Sequence, residues 1–314
     1  MIPRLLTRCA RALGLAALLA VAMPVQAALS VADDTGATVT VPHPAQRVVS
    51  LAPHATELLF AAGGGARIVG TVTYSDYPSA ARDIPRVGDN RAVDLERIAA
   101  LKPDLVVVWR HGNAQTQTDR LRALGIPLFF SEPHRLADIP RAIETLGTLL
   151  DTRATAHAAA EQFRQQADDL RKRYAGRPPV TVFFQVWAQP LMTLNGQHVF
   201  SDMLALCGGR NVFADEQPLV PTVSTEAVLA ANPEALLTAG MGATQGSRPI
   251  DTLDGWRRWP SLLAVQRGNL FTIDGDLINR PGPRLLQGAA LLCEDLEQAR
   301  ARRPAQGSAA AANR

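Results

Sequence analysis

The chain has 314 residues, 47% of them apolar, with 32 Lys+Arg against 29 Asp+Glu, enough material for two domains of ordinary size. Its pI near 9.0 does not argue for nucleic acid. Three of the basic residues and none of the acidic ones lie in the first 27 positions, so without that segment the charges balance, and a nucleic-acid binder would need a basic patch that survives the loss.

That first segment has the layout of a secretory signal. Arg4, Arg8 and Arg11 precede an apolar run at 12–23 (ALGLAALLAVAM), and Val25-Gln26-Ala27 supplies a small-residue cleavage site. A membrane-spanning helix needs about 20 apolar residues, and Pro24 interrupts this run. Cys9 lies ahead of the run, the wrong place for lipidation after a signal. The expectation is therefore a signal peptide over residues 1–27, export, and no anchor.

A first α/β lobe is expected over residues 28–150. Residues 47–51 (RVVSL) read as a strand, 52–56 (APHAT) as a loop carrying His54, and 57–64 (ELLFAAGG) as a helix with a glycine stop. A second strand follows at 67–72. Residues 94–108 (DLERIAALKPDLVVV) then give an N-cap at Asp94, Glu96 in the first turn, apolar residues at helical spacing, Pro103 as a stop and an apolar strand.

The connector comes next. Residues 152–174 (TRATAHAAAEQFRQQADDLRKRY) are strong helix formers, enough for about 35 Å of helix, and the segment Gly176-Arg177-Pro178-Pro179 ends it. A backbone helix over 151–176 is expected to join the lobes stiffly.

The second lobe, 177–302, repeats the plan of the first. Strand 180–186 (VTVFFQV) and the glycine-stopped helix 200–209 (FSDMLALCGG) echo the first lobe. Residues 224–238 (STEAVLAANPEALLT) match 94–108 without a gap, with Ser224 as N-cap and Glu226 in the first turn. Repeated strand–helix–strand units predict parallel sheets with right-handed crossovers. The fold class is thus α/β, two similar lobes on one rigid helix; residues 303–314 form a low-complexity tail, expected to be disordered.

In such sheets ligands bind beyond the carboxyl ends of the strands. Those ends carry Tyr74 (in 74–78, YSDYP), Trp109 with Arg110, His111 and Asn113, then Trp187, and finally Asp276 with Arg280, an expected local ion pair. Large flat rings with a few polar groups suit a cleft for a bulky ligand. Trp256 and Trp259 read as surface residues. His54 faces the same side and could hydrogen-bond a ligand or ligate a metal, or equally cap its loop. His157 lies in mid-helix. No nucleophile, phosphate-loop, dinucleotide or metal motif is present, so neither catalysis nor a metal or cofactor site is expected. Cys207 and Cys293 remain after the signal; in an oxidising compartment they read as one disulfide, with two free thiols as the alternative.

Taken together, the segments at 47–63, 74–78 and 94–106 resemble the helical-backbone periplasmic binding proteins that serve ABC importers of cobalamin, ferric siderophores and haem. The likeness covers about residues 45–300. The 74–78 segment, Trp109-Arg110 with Gly112-Asn113, Cys207-Gly208-Gly209 with Asn211 and Phe213, and Cys293 resemble its cobalamin branch. The resemblance implies capture of a corrinoid as cargo by a monomer. Tyr74, Trp109, Trp187, Asp276 and Arg280 would contact the ligand, Cys207 and Cys293 would be bridged, and Glu96 and Glu226 would dock into the permease dimer. Two positions depart from the pattern, with Asn90 and Val220 where that branch carries tryptophans, which implies weaker stacking or a different ligand. Haem would call for His54 or Tyr74 as iron ligand, a siderophore for Arg110 and Arg280. An enzyme on a related two-lobed fold is the more distant alternative.

Overall fold

The structure, a computed structural model, describes residues 28–89, 92–240 and 253–304. The expected signal peptide, Asn90 and all but the first two residues of the expected tail lie outside them.

In the first lobe a hairpin, β1 (Leu29–Ala32) and β2 (Thr38–Val41), precedes β3 (Val48–Ser50), α1 (Pro53–Ala61), β4 (Ile68–Thr71), α2 (Leu95–Ala100), β5 (Leu105–Trp109), α3 (Gln115–Ala123), β6 (Leu128–Ser131) and α4 (Asp138–Leu149). The long α5 (Arg153–Tyr174) follows. The second lobe holds β7 (Val180–Gln185), a short hairpin of β8 (Trp187–Ala188) and β9 (Leu191–Met192), α6 (Val199–Leu206), β10 (Gly209–Asn211), α7 (Thr225–Ala231), β11 (Ala235–Gly240), α8 (Leu263–Gln266), β12 (Leu270–Asp274), α9 (Gly275–Ile278) and α10 (Leu285–Ala301).

Both main sheets are parallel. The first runs β4-β3-β5-β6 and the second β10-β7-β11-β12. In each, the second strand in sequence lies outside the first, and the third and fourth follow on the other side. This common order is the three-dimensional form of the sequence repeat. The repeat holds at the level of caps as well. Asp94 accepts a hydrogen bond from the Arg97 N–H, and Ser224 accepts one from the Ala227 N–H, the first-turn donors a cap satisfies. The matched residues Lys102 and Asn232, each just before the proline, both take positive φ (47° and 41°).

One expected loop is helical. Residues 52–56 are not a loop ahead of the helix: Pro53 is its first residue, where a missing N–H costs nothing and φ is pre-set. His54 therefore sits on a helix and points into the protein.

The stiffness of the link follows from one stripe of α5. Ala156, Ala160, Phe163, Ala167, Leu170 and Tyr174 are buried at alternating four- and three-residue steps, a continuous apolar face. All of them except Ala160 join a single core that also takes in Leu146 and Leu149 of α4, Val48 and Val107 of the first sheet, Val182 and Leu237 of the second, and Leu292 and Leu296 of α10. Twenty-two residues of helix span about 33 Å, and the core runs from one lobe to the other under them. Where α4 crosses α5, a Cβ added to Gly147 would lie 2.2 Å from the Ala156 Cβ, so the helices meet at their backbones. Arg164 pairs with Glu144 of α4 and with Glu161. Separate apolar clusters cover the outer faces of the two sheets.

The second lobe is bridged by a Cys207–Cys293 disulfide that ties the end of α6 to α10; both residues are wholly buried.

Candidate functional site

The carboxyl ends of the two sheets face each other. Arg280, just beyond the short α9 that follows β12, donates to Asp76, in the segment after β4, at 2.7 Å, so the segments that follow these strands meet across the gap between lobes.

On the first-lobe side, Tyr74 follows β4 in a turn that needs φ of 68°, a left-handed conformation rarely taken by an aromatic residue. The turn is held from below. Ser75 is buried, its N–H donates to the Val72 carbonyl, and its hydroxyl accepts from Thr56, which also bonds Ser50 and Thr71. That hydroxyl cluster fixes the ends of β3 and β4 to α1 and leaves the Tyr74 ring 47% exposed.

Trp109 ends β5, half-buried. Its loop is closed by Asn113, whose Oδ1 accepts from the Trp109 N–H at 2.8 Å and whose Nδ2 donates to the Leu51 carbonyl at 3.1 Å. Gly112 lies directly against the indole; a Cβ there would be 1.7 Å from a ring carbon. His54 packs edge-on against the same indole, with ring centroids 5.7 Å apart. His54 thus corrects the sequence expectation: it is 3% exposed and lies behind Trp109 rather than beside it in the cleft. Burial pushes its pKa down to about 4, against a weaker opposing contact with the Ser131 backbone, so it is neutral. His111, by contrast, is exposed and pairs with Glu132 at 3.2 Å.

On the second-lobe side, Trp187 opens the β8–β9 hairpin with its ring 45% exposed and its indole N–H donating to the Gln189 carbonyl at 2.7 Å. Val220 is exposed. Trp256 is the second correction. It is 6% exposed, packs edge-on against Phe183 and donates to the buried Gln185 Oε1 at 2.8 Å. It is a core residue of the second lobe.

The polar centre of the site is larger than the sequence indicated. Arg280 bonds Asp276, its neighbour one helical turn back, at 2.7 Å, as the spacing suggested. It also meets Asp76 and, at 3.5 Å, Glu57. Arg284 forks onto both oxygens of Glu57, at 2.7 and 3.1 Å, and its guanidinium lies 4.0 Å over the Tyr77 ring. Burial pushes the Glu57 carboxyl up, and Arg284 and Arg280 oppose it. Asp76 is held below the usual carboxylate range, because the Arg280 bond and charge outweigh its partial burial. Glu57 and Arg284 were not picked out from the sequence, and Asp76 and Tyr77 only as part of the 74–78 segment. The available signals were a lone carboxylate inside the apolar α1 and two arginines braced by prolines in the stretch from Arg280 to Arg284.

Glu96 and Glu226 lie apart from this centre, exposed in the first turns of α2 and α7. The Glu226 carboxyl is held low by its own backbone N–H and by Ser224. One such carboxylate stands on each lobe at the same place in the repeat.

Comparisons with known proteins bear on this arrangement. A vitamin B12-binding protein of Yersinia pestis is 40% identical over 252 residues, 80% of this chain and 86% of that one. The crystal structure of a periplasmic vitamin B12 binding protein of Vibrio cholerae superposes with a TM-score of 0.73 at 37% identity, covering 82% of this chain and 98% of that one. A periplasmic heme-binding protein from Roseiflexus sp. RS-1 gives a TM-score of 0.69 at 25% identity, covering 81% and 98%. The family model described as periplasmic binding protein matches residues 48–277, and the chain belongs to the periplasmic binding protein family.

Proposed function

We propose that this protein captures cobalamin in the periplasm, in the cleft between its lobes, and hands it as cargo to an ABC importer. The observation that carries this reading is the facing of the two sets of strand ends through the Arg280–Asp76 contact, with Tyr74, Trp109 and Trp187 among them. The names of the most similar relatives point the same way.

The work is binding, without bond making. Trp109 is fixed from three sides, by Gly112, Asn113 and His54, so it presents a flat face at little ordering cost. Tyr74 and Trp187 offer exposed rings for a macrocycle. Arg280 and Asp276 supply charged hydrogen-bonding groups for the amides around a corrin ring. The single core under α5 resists large lobe movements, so affinity comes from a cleft set in advance. Glu96 and Glu226 would engage basic pockets on the permease dimer, setting orientation and encounter rate more than affinity. The protein would act as a monomer, exported after removal of residues 1–27. The heme reading loses one of its two candidate iron ligands, because His54 is buried.

Titration with cyanocobalamin, followed by tryptophan fluorescence, tests the proposal. Saturable quenching at or below micromolar ligand supports it. No quenching, together with a Soret band on adding hemin, overturns it.

A further inference from the structure

Glu57 is an unusual residue for the middle of a buried helix. Its neighbours Leu58 and Leu59 are wholly buried, and Glu57 itself is 2% exposed. Among the described residues, every hydrogen-bonding or ionic partner of its carboxylate, Arg284 and Arg280, comes from the other lobe. Among the described residues of its own lobe, no cationic partner pairs with this carboxylate. The arginines are delivered by the stretch Arg280-Pro281-Gly282-Pro283-Arg284, which is seated on α1. A Cβ on Gly282 would be 3.4 Å from a Glu57 oxygen and 3.7 Å from the His54 carbonyl.

The two elements that meet here also reach the strut. Thr152, ahead of α5, bonds the Ala62 carbonyl at the far end of α1. α10 begins at Leu285, next to Arg284, and packs on α5. The lobes are thus pinned by the core under α5 and, at the cleft, by the Glu57–Arg284 pair together with the Arg280–Asp76 bond.

We propose that Glu57 and Arg284 are an inter-lobe clasp, positioning residues that fix the spacing of the cleft and hold Arg280 where bound cobalamin meets it. The physical reason is that a buried ion pair adds little net stability over apolar packing, while loss of one partner strands the other charge. A pair whose halves belong to different lobes ties two charge-assisted hydrogen bonds of fixed geometry to one lobe separation. Opening the cleft gives up that fork and returns both charges to water, so the pair sets the spacing more than it adds stability, whereas removing one partner by substitution leaves the other buried in the closed state and loosens it. The clasp also orients its neighbours: Arg284 lies on Tyr77, while Arg280 is shared between Glu57, Asp76 and Asp276.

The proposal rests on the cleft reading above, and its test separates the two. Spin labels at Ala100→Cys and Ala230→Cys, exposed positions matched by the repeat, report lobe spacing in the ligand-free protein made without residues 1–27; Cys9 is then absent, and Cys207 and Cys293 are bridged and do not react. The unmodified background should give one narrow distance. Glu57→Gln and Arg284→Gln should each broaden it and speed cobalamin release roughly tenfold or more. The double variant should be no worse than either single, since both remove one interaction. Arg284→Lys, which keeps the charge without the fork, should fall between, and it serves as the test if the Gln variants do not fold. Unchanged distances in the folded variants overturn the clasp, whatever the cargo. If the unmodified protein does not bind cobalamin, the cargo reading fails and the distances alone decide the clasp.

Discussion

Removing the disulfide by Cys207→Ala with Cys293→Ala should cost stability and leave ligand binding alone. The bridged residues are 86 apart in sequence. In the chain-entropy treatment a loop of that size gives about 4 to 5 kcal/mol at 25 °C, a large share of the roughly 5–15 kcal/mol available to a typical domain. The location predicts what is spared. Gly208, next to Cys207, accepts a hydrogen bond from the Val180 N–H at the start of β7, so the bridge lies at the end of the second sheet remote from the cleft. Guanidinium unfolding monitored by far-UV circular dichroism, with and without the bridge, measures the loss from midpoint and slope together, the slope rising because the unbridged unfolded chain exposes more surface. Cyanocobalamin titration in native buffer measures the binding. A loss under about 1 kcal/mol would refute the loop-entropy argument. An affinity that falls with the stability would refute the claim that the bridge acts at a distance from the site.

Four further outcomes are expected. Gly112→Ala should displace the Trp109 indole and weaken cobalamin binding, read by titration with near-UV circular dichroism of the ring; unchanged affinity would remove Trp109 from the site. Glu96→Ala with Glu226→Ala should leave cobalamin affinity intact while transporter-dependent uptake fails in cells; lost binding would show that these carboxylates serve the cleft instead. Trp187→Ala should weaken binding and reduce the fluorescence quench without lowering the melting temperature, because its ring is 45% exposed. The fourth concerns pH. Burial pushes His54 and His198 down to about 4, so between there and the ordinary imidazole range the unfolded chain binds more protons, and stability falls as pH drops through that window. Each histidine should cost about 2 kcal/mol between pH 7 and pH 5. His54→Gln should remove its share of the slope in denaturant titrations at the two pH values, and an unaltered slope would count against a buried neutral ring.

The sequence by itself determined the architecture. Caps at Asp94 and Ser224, stops at Pro103 and Pro233 and the helix-forming run of α5 are local signals. Each depends on residues within a turn or two, and each reappears in the structure where the pattern placed it. Because the repeat was legible, so were two parallel sheets of similar plan, and with them the strand ends that carry Trp109 and Trp187. Tertiary structure alone decided which of the nearby polar and aromatic residues face the cleft. His54 and Trp256 carry no local mark of burial; one lies behind Trp109 and the other within the second lobe because of what packs on them. Glu57 and Arg284 are 227 residues apart, and their meeting depends on how one lobe closes on the other. Periodicity and capping are set by neighbours along the chain, whereas a charge buried between lobes is set by the shape of both.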